Sequence, residues 1–148
     1  MIKVIECPRD AMQGIKTFIP TELKLKYTNQ LLKVGFDTID IGSFVSPKAI
    51  PQMRDTLEII KSVNLSETKS KLLVITANLR GAEEAVKHKE IDYLGYPFSI
   101  SETFQQRNTN TTILQAFDKV KALQESCLKN EKELVVYLSM GFGNPYGD

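Results

Sequence analysis

The chain has 148 residues, enough for one ordinary domain with a sizeable hydrophobic core. Its 19 lysines and arginines nearly balance its 18 aspartates and glutamates, so the net charge of +1 gives no general attraction to nucleic acid or to an acidic membrane. No apolar run approaches the roughly 18 residues that span a bilayer, no signal-peptide pattern is present, and two distant cysteines without a CxxC pair favour a reduced, cytoplasmic setting.

Short apolar runs alternate along the chain with longer segments of helical periodicity. The predicted strands are residues 2–6, 38–41, 72–76, 91–94 and 134–139. The predicted helices are 21–34, a segment that begins at Ser46 and restarts at Pro51, a short helix over 82–86, and 111–128. In the first helix, Thr21 is the expected N-cap and Gly35 the expected end, and the apolar stripe consists of Leu23, Tyr27, Leu31 and Val34.

Strands that alternate with helices predict a parallel sheet with right-handed crossovers. Each unit takes about 30 residues, as in a (β/α)₈ TIM barrel of about 250 residues. Five strands fit into this length and eight do not. The fold class is therefore α/β, either an open sheet or a partial (β/α)₈ barrel of about five parallel strands, with residues 1–148 forming part of one catalytic domain.

In such folds the active site lies at the carboxyl ends of the strands, so polar residues there are candidates. The first strand ends in Glu6, followed closely by Arg9, Asp10 and Gln13. This cluster is either a solvated loop with an internal salt bridge, or a metal-binding carboxylate beside a guanidinium that neutralises an oxyanion. The spacing alone leaves both readings open.

The second and fourth strands add further candidates. Asp40 lies between two isoleucines, so it either faces a polar interior or simply pairs with Arg9. Ser43 follows in a segment of small polar residues that could approach a ligand. A long polar loop is predicted between Ser99 and Asn108, where most side chains would be solvated but some could be functional. The sole histidine, His88, lies between two lysines and is predicted to be on the surface.

At this point the motifs resemble a known family. The segment Glu6-Cys7-Pro8-Arg9-Asp10-Ala11-Met12-Gln13 resembles the first-strand signature of the metal-dependent barrel enzymes that make or break bonds to acyl-CoA. Three further motifs, in family order, resemble the 3-hydroxy-3-methylglutaryl-CoA lyase branch: residues 42–48 followed by 51–53, residues 108–110 and residues 143–146. The resemblance covers almost the whole chain.

The resemblance implies a (β/α)₈ barrel that cleaves hydroxymethylglutaryl-CoA to acetyl-CoA and acetoacetate with Mg²⁺ or Mn²⁺. Asp10 would be a metal ligand, and Arg9 would stabilise the thioester enolate. Glu6 and Asp40 match acidic positions near the site. The expected substrate-binding residues are Gln13, Ser43 and Asn108.

The sequence also departs from the family. The family more often has Gly-Leu where this chain has Ala11-Met12, and a basic residue expected on strand five is absent. Two histidine ligands, an asparagine ligand, an acidic residue and a loop cysteine of strands six to eight have no counterpart here. We therefore expect the N-terminal part of a lyase, cut short after strand five. Alone it would be inactive and a poor monomer that forms a homo-oligomer or needs its missing C-terminal half.

Two alternatives remain open from the sequence. One is a condensing synthase of the same superfamily, although residues 43–47 favour the lyase. The other is a non-catalytic half-barrel that serves in binding or assembly. In the enzyme readings the partner is an acyl-CoA substrate, with neither nucleic acid nor membrane.

Overall fold

A computed structural model describes residues 2–148. Its strands are β1 (Ile5–Glu6), β2 (Thr38–Ser43), β3 (Lys71–Ile75), β4 (Tyr93–Ser99) and β5 (Glu133–Ser139). Its helices are α1 (Pro8–Gln13), α2 (Thr21–Val34), α3 (Thr56–Ser62), α4 (Leu79–Ala85), α5 (Glu102–Thr109) and α6 (Ile113–Lys129), with a 3₁₀ turn at Pro51–Met53 before α3.

The five strands form one parallel sheet in the order β1-β2-β3-β4-β5, curled into half of a barrel. The prediction of a partial (β/α)₈ barrel is confirmed. Pairing is shortest at β1, where only Ile5 and Glu6 pair with β2, and longest between β4 and β5. A register shift between Asp40 and Gly42 interrupts the β2–β3 ladder just before the carboxyl end of β2. The carboxyl ends of all five strands thus lie along one rim.

Side chains alternate between the two faces of the sheet, because successive Cβ atoms of a strand point to opposite sides. On the helix side they build the main core, to which the strands contribute Ile39, Ile41, Leu72, Val74, Leu94 and Tyr96. On the inner face, Leu73 and Ile75 converge with Tyr137 above Gly95, whose missing side chain leaves the space they occupy. Both aliphatic side chains are buried, although the barrel is only half formed.

The predicted apolar stripe of α2 is wrong in its direction. Leu23, Tyr27 and Val34 lie on the exposed side, and of the predicted stripe only Leu31 packs partly against the core. The helix instead buries Lys24, Thr28 and Leu32. The lysine can be buried because its Nζ donates to both carboxylate oxygens of Asp55, at 2.8 and 3.0 Å, and to the carbonyl of Gln52. A buried ion pair that periodicity cannot detect therefore sets the rotation of this helix.

The prediction for α2 is confirmed at the carboxyl end of the helix and wrong at its amino end. Gly35 ends the helix in the left-handed region at φ 90°, as predicted. Thr21 is not the N-cap, since Pro20 occupies that position and the Thr21 hydroxyl donates to Asp55 at 2.9 Å. The predicted helix from Ser46 is also wrong: residues 47–49 form a single turn before the 3₁₀ segment.

The long loop predicted after the fourth strand is wrong. Strand β4 continues to Ser99, and α5 follows almost at once, with the Ser101 hydroxyl accepting from the Phe104 amide as N-cap. Because proline is unusual within a strand, Pro97 hid the full length of β4 in the sequence. His88 is also placed differently from the prediction. Its ring stacks on Phe44 with centroids 6.0 Å apart, and its side chain is only 14% exposed.

Both edges of the half-barrel carry exposed apolar side chains. Val4 and Ile5 lie at the β1 edge, and Leu138 lies on β5. On the neighbouring helix α6, Leu114, Phe117 and Leu128 are exposed as well. Between residues 2 and 148, no helix is both long enough and apolar enough to cross a membrane.

Candidate active site

The site is built around Arg9, in the first turn of α1, and Asp40, in β2. The Arg9 Nε donates to both Asp40 carboxylate oxygens, at 3.2 and 3.1 Å, and its Nη2 donates to Oδ2 at 2.6 Å. Asp40 is fully buried and Arg9 is 8% exposed. Of the two readings of Asp40 that the sequence left open, the pairing with Arg9 is therefore present, and it fixes the plane of the guanidinium.

Burial and pairing oppose each other in this ion pair. Burial acts to lower the pKa of Arg9, but the hydrogen bonds and charge of Asp40 raise it above its ordinary value, so the guanidinium stays cationic. Burial raises the pKa of the Asp40 carboxyl, and the hydrogen bonds from Arg9 offset that shift only in part. Asp40 accepts all three Arg9 bonds through lone pairs, which makes it an anchor for the arginine.

The opposite edge of the guanidinium faces Asp10 and Gln13. Nη1 of Arg9 donates to Asp10 Oδ1 and to Gln13 Oε1, both at 2.9 Å, and Gln13 Nε2 donates to the same Oδ1 at 2.9 Å. The helical spacing of α1 produces this triangle, since residues three and four apart share a face. The Asp10 side chain is 63% exposed, and its Oδ2 accepts no hydrogen bond from residues 2–148.

These residues open into a cavity of about 520 Å³ on the inner side of the rim. Its polar lining includes Cys7, Arg9, Asp10, Gln13, Asn108, Thr109, Tyr137 and Ser139. Apolar side chains of Val45, Ile50, Ile75, Pro97 and Phe104 complete the wall. A concave pocket with a few convergent polar groups is the usual form of a small-molecule site.

Asn108 reaches this cavity from α5, on the side opposite α1, as its predicted role requires. Two other candidates do not join the cluster. Ser43 is buried, where its hydroxyl donates to the Ile75 carbonyl at 3.4 Å and accepts from the Val45 amide at 3.1 Å. Glu6, at the end of β1, lines neither this cavity nor the Arg9 cluster, so its catalytic role stays a prediction.

Tyr137, which the sequence analysis missed, lines the same cavity from β5. Its hydroxyl is buried and has no hydrogen-bond partner among residues 2–148. Burial, reinforced by the charge of Asp40, raises the pKa of the phenol well above its usual range, so it stays protonated. The signal available in the sequence was the period of two on strand five, which puts Val135, Tyr137 and Ser139 on one face.

Cys7 lies at the entrance to α1, beside the charged cluster. Burial raises the pKa of its thiol, and the negative charge of Asp40 raises it further while Arg9 acts in the opposite direction. The thiol is therefore mostly neutral at pH 7, which is the state of a packed side chain more than of a nucleophile.

A second cavity of about 480 Å³ opens on the helix side of the rim, between α3 and α4. It is lined by the 43–47 segment together with Arg54, Asn78, Arg80 and Glu84. Asn78 acts locally there, since its side chain accepts from the Gly81 amide as the N-cap of α4. The Ser43 segment thus separates the two cavities.

The described side chains offer few ligands for the predicted divalent metal. Asp10 Oδ2 is a hard oxygen with no hydrogen bond from the described chain, which suits Mg²⁺ or Mn²⁺. Asp40 is already committed to Arg9. Within residues 2–148 no group of three His, Cys, Asp or Glu side chains is arranged to hold a metal. These residues alone do not make a metal site.

Hydroxymethylglutaryl-CoA lyases of other organisms are similar to this chain in sequence. The mitochondrial hydroxymethylglutaryl-CoA lyase of Mus musculus is 32% identical over 148 residues, covering 98% of this chain and 44% of the mouse protein. The cytoplasmic 3-hydroxy-3-methylglutaryl-CoA lyase of Homo sapiens is 32% identical, covering 98% of this chain and 39% of the human protein. The chain spans less than half the length of these relatives. No family model matches it.

Solved structures of hydroxymethylglutaryl-CoA lyases are similar to this chain in fold. Hydroxymethylglutaryl-CoA lyase from Pseudomonas aeruginosa superposes with a TM-score of 0.90 at 30% identity, covering 99% of this chain and 49% of that one. The enzyme from Acinetobacter baumannii, in complex with coenzyme A and 3-methylmalate, gives a TM-score of 0.89 at 32% identity over 99% of this chain and 47% of that one. Sequence and fold thus correspond to the N-terminal portion of hydroxymethylglutaryl-CoA lyases.

Proposed function

We propose that this chain supplies the N-terminal half of the active site of a carbon–carbon lyase that cleaves 3-hydroxy-3-methylglutaryl-CoA into acetyl-CoA and acetoacetate. The observation that carries the proposal is the Arg9 guanidinium, held by three hydrogen bonds to the buried Asp40 and aimed into a cavity of about 520 Å³. The likeness to lyases over 98% of the chain supports the choice of reaction.

The chemistry explains why a fixed cation is needed there. In a retro-Claisen cleavage the tertiary hydroxyl loses its proton, the carbon–carbon bond breaks, and its electron pair moves onto the thioester as an enolate. Protonation of the enolate carbon gives acetyl-CoA, and the former alcohol carbon becomes the ketone of acetoacetate. Arg9 would stabilise the enolate oxygen, and because Asp40 holds it rigidly, little reorganisation accompanies the developing charge.

The neighbours of Arg9 receive supporting roles in this proposal. Gln13 holds the outer edge of the guanidinium and so orients Nη1. Asp10 would offer its Oδ2 as one ligand to Mg²⁺ or Mn²⁺, and the described residues do not supply the remaining ligands. Asn108 faces the cluster across the cavity, where its amide could hold a substrate oxygen.

An acyl-CoA substrate is part of the proposal. The Acinetobacter baumannii relative was solved with coenzyme A and a small hydroxy diacid, which fits the size and polarity of a cavity with one cationic edge. A cytoplasmic location is also proposed, although relatives include both cytoplasmic and mitochondrial enzymes.

Reconstitution tests the function. The chain would be co-expressed with a tagged fragment of the Pseudomonas aeruginosa lyase, the half that this chain does not match. Co-purification reports assembly, and acetoacetate formation from hydroxymethylglutaryl-CoA with Mg²⁺ reports activity. We expect an active complex, and we expect neither half to be active alone. A fused version, joined after Asp148, repeats the test where the separate pieces do not associate.

Arg9→Met and Lys16→Met are the matched variants. Lys16 is an exposed cation in the loop after α1 that does not line the cavity. Loss of a preorganised charge donor typically lowers kcat by about 10²–10³-fold, so Arg9→Met should lose that factor and Lys16→Met should keep full turnover. An assembled barrel that produces no acetoacetate, or an Arg9→Met barrel with unchanged kcat, would contradict the proposal.

A further inference from the structure

Tyr137 is a buried polar group that the chain itself leaves unused. Its hydroxyl oxygen has almost no accessible surface and no hydrogen-bond partner among residues 2–148, yet the residue lines the Arg9 cavity. A buried hydroxyl without a partner is costly and is usually satisfied in native proteins. An unsatisfied group of this kind beside a fixed cation points to a bound ligand as its missing partner.

The fold holds this phenol in place. Tyr137 pairs in register with Pro97 of β4, and its ring lies over Gly95, where an added Cβ would be 2.9 Å from the tyrosine Cε2 and 2.7 Å from the Ile75 Cδ1. Gly95 therefore provides the space that the ring fills. The packing of the ring over Gly95 therefore keeps the phenol beside the cavity that Tyr137 lines.

The electrostatic setting determines which partner suits it. The phenol is flanked by Arg9 and by the carboxylates Asp40 and Asp10, whose charges act on it, and it stays protonated. It therefore acts as a donor, and it needs an oxygen acceptor that is neutral or negative. Under the proposed function, Arg9 would bring such an oxygen into the same cavity, which both residues line.

We propose that a small shift of the ring toward the cavity makes the Tyr137 hydroxyl a second hydrogen-bond donor, beside Arg9, to an oxygen of the acyl group that would react there. Tyr137 is then a catalytic residue in the strict sense, because it contacts the substrate. The inference rests on the proposed function. Tyr137 would add a donor from β5, the strand that lacks the basic residue expected from the family resemblance.

Two measurements on the 148-residue chain test this without any turnover. The first is the urea midpoint of Tyr137→Phe. Removing a hydroxyl that has no partner in the protein breaks no hydrogen bond, so the urea midpoint should be equal to or higher than that of the wild-type chain. The second is ¹³Cζ-tyrosine NMR during titration with 3-hydroxy-3-methylglutarate. The resonance absent from Tyr137→Phe should shift, and it should stop shifting in Arg9→Met.

Tyr96→Phe is the matched control. Tyr96 lies on the neighbouring strand but belongs to the core on the helix side of the sheet, away from the cavity, so its resonance should not respond to the titration. A lowered midpoint in Tyr137→Phe would mean that the hydroxyl is bonded within the protein, and would overturn the inference. An unresponsive Tyr137 resonance would do the same.

The reconstituted barrel separates this inference from the function on which it rests. If wild type produces acetoacetate, Tyr137→Phe should lower kcat by about 10²-fold, the lower range for one oxyanion donor, with KM changed far less. Equal kcat values for wild type and Tyr137→Phe would exclude Tyr137 from the reaction but would leave the proposed lyase function standing. An inactive wild-type barrel together with a shifted Tyr137 resonance would refute the lyase and leave the phenol as a contact to the hydroxy acid.

Discussion

Removing Arg9 should destabilise the chain far more than removing Asp40. Asp40 is fully buried, and every side-chain hydrogen bond that its carboxylate accepts comes from Arg9. Arg9→Met therefore leaves a buried charge unpaired, which typically costs about 3–5 kcal/mol. Asp40→Leu leaves the guanidinium with Asp10 and Gln13, so we expect about 1–3 kcal/mol.

The double variant decides whether the pair is coupled. Arg9→Met with Asp40→Leu replaces both charges by apolar side chains, a change that is often nearly neutral. We expect it to cost at least about 2 kcal/mol less than the sum of the two single variants. Urea unfolding followed by far-ultraviolet circular dichroism measures all four proteins. One fixed concentration is needed, because association would shift the midpoints. Additivity within about 0.5 kcal/mol would refute the described pairing.

Three further outcomes follow from the same structure. Gly42→Ala should cost about 1–3 kcal/mol in urea unfolding, because its Cβ would lie 2.5 Å from the Thr56 Cγ2. Gly14→Ala, which has open space around it, should be neutral, and equal effects would contradict the packing. Iodoacetamide should alkylate Cys7 more slowly than free cysteine at pH 8, because the raised pKa of the Cys7 thiol lowers the fraction present as thiolate. Asp40→Asn should speed the reaction, because it removes a negative charge that raises this pKa. A wild-type rate above that of free cysteine would contradict the prediction. Light scattering should report masses above the 16.7 kDa of one chain, because both sheet edges expose apolar side chains; a stable monomer would contradict it.

The parallel strands and the polar cluster at their carboxyl ends were predictable because they depend on local signals. Each strand is a short apolar run, and parallel strands bring their carboxyl ends to one rim, so Arg9 and Asp40 were expected at that rim. Their direct pairing was one of two readings, and the structure shows it because β1 and β2 are neighbours. The αL end of α2 was equally local, since Gly35 tolerates the positive φ that ends the helix.

Other features depended on contacts between distant residues. The rotation of α2 follows from the burial of Lys24 against Asp55, a pair separated by 31 positions. No periodicity of apolar residues contains that information, and Leu23 and Tyr27 suggested the opposite face. Tyr137 was missed for a related reason: its importance comes from an unpartnered hydroxyl, which only the three-dimensional surroundings reveal.

The most direct test is a crystal structure of the reconstituted barrel with a non-cleavable acyl-CoA. The account predicts the thioester oxygen in the Arg9 cavity, within about 3 Å of a guanidinium nitrogen, the ordinary length of such a hydrogen bond. An acyl group that lies instead in the cavity between α3 and α4, beside Arg54 and Arg80 and away from Arg9, would contradict it.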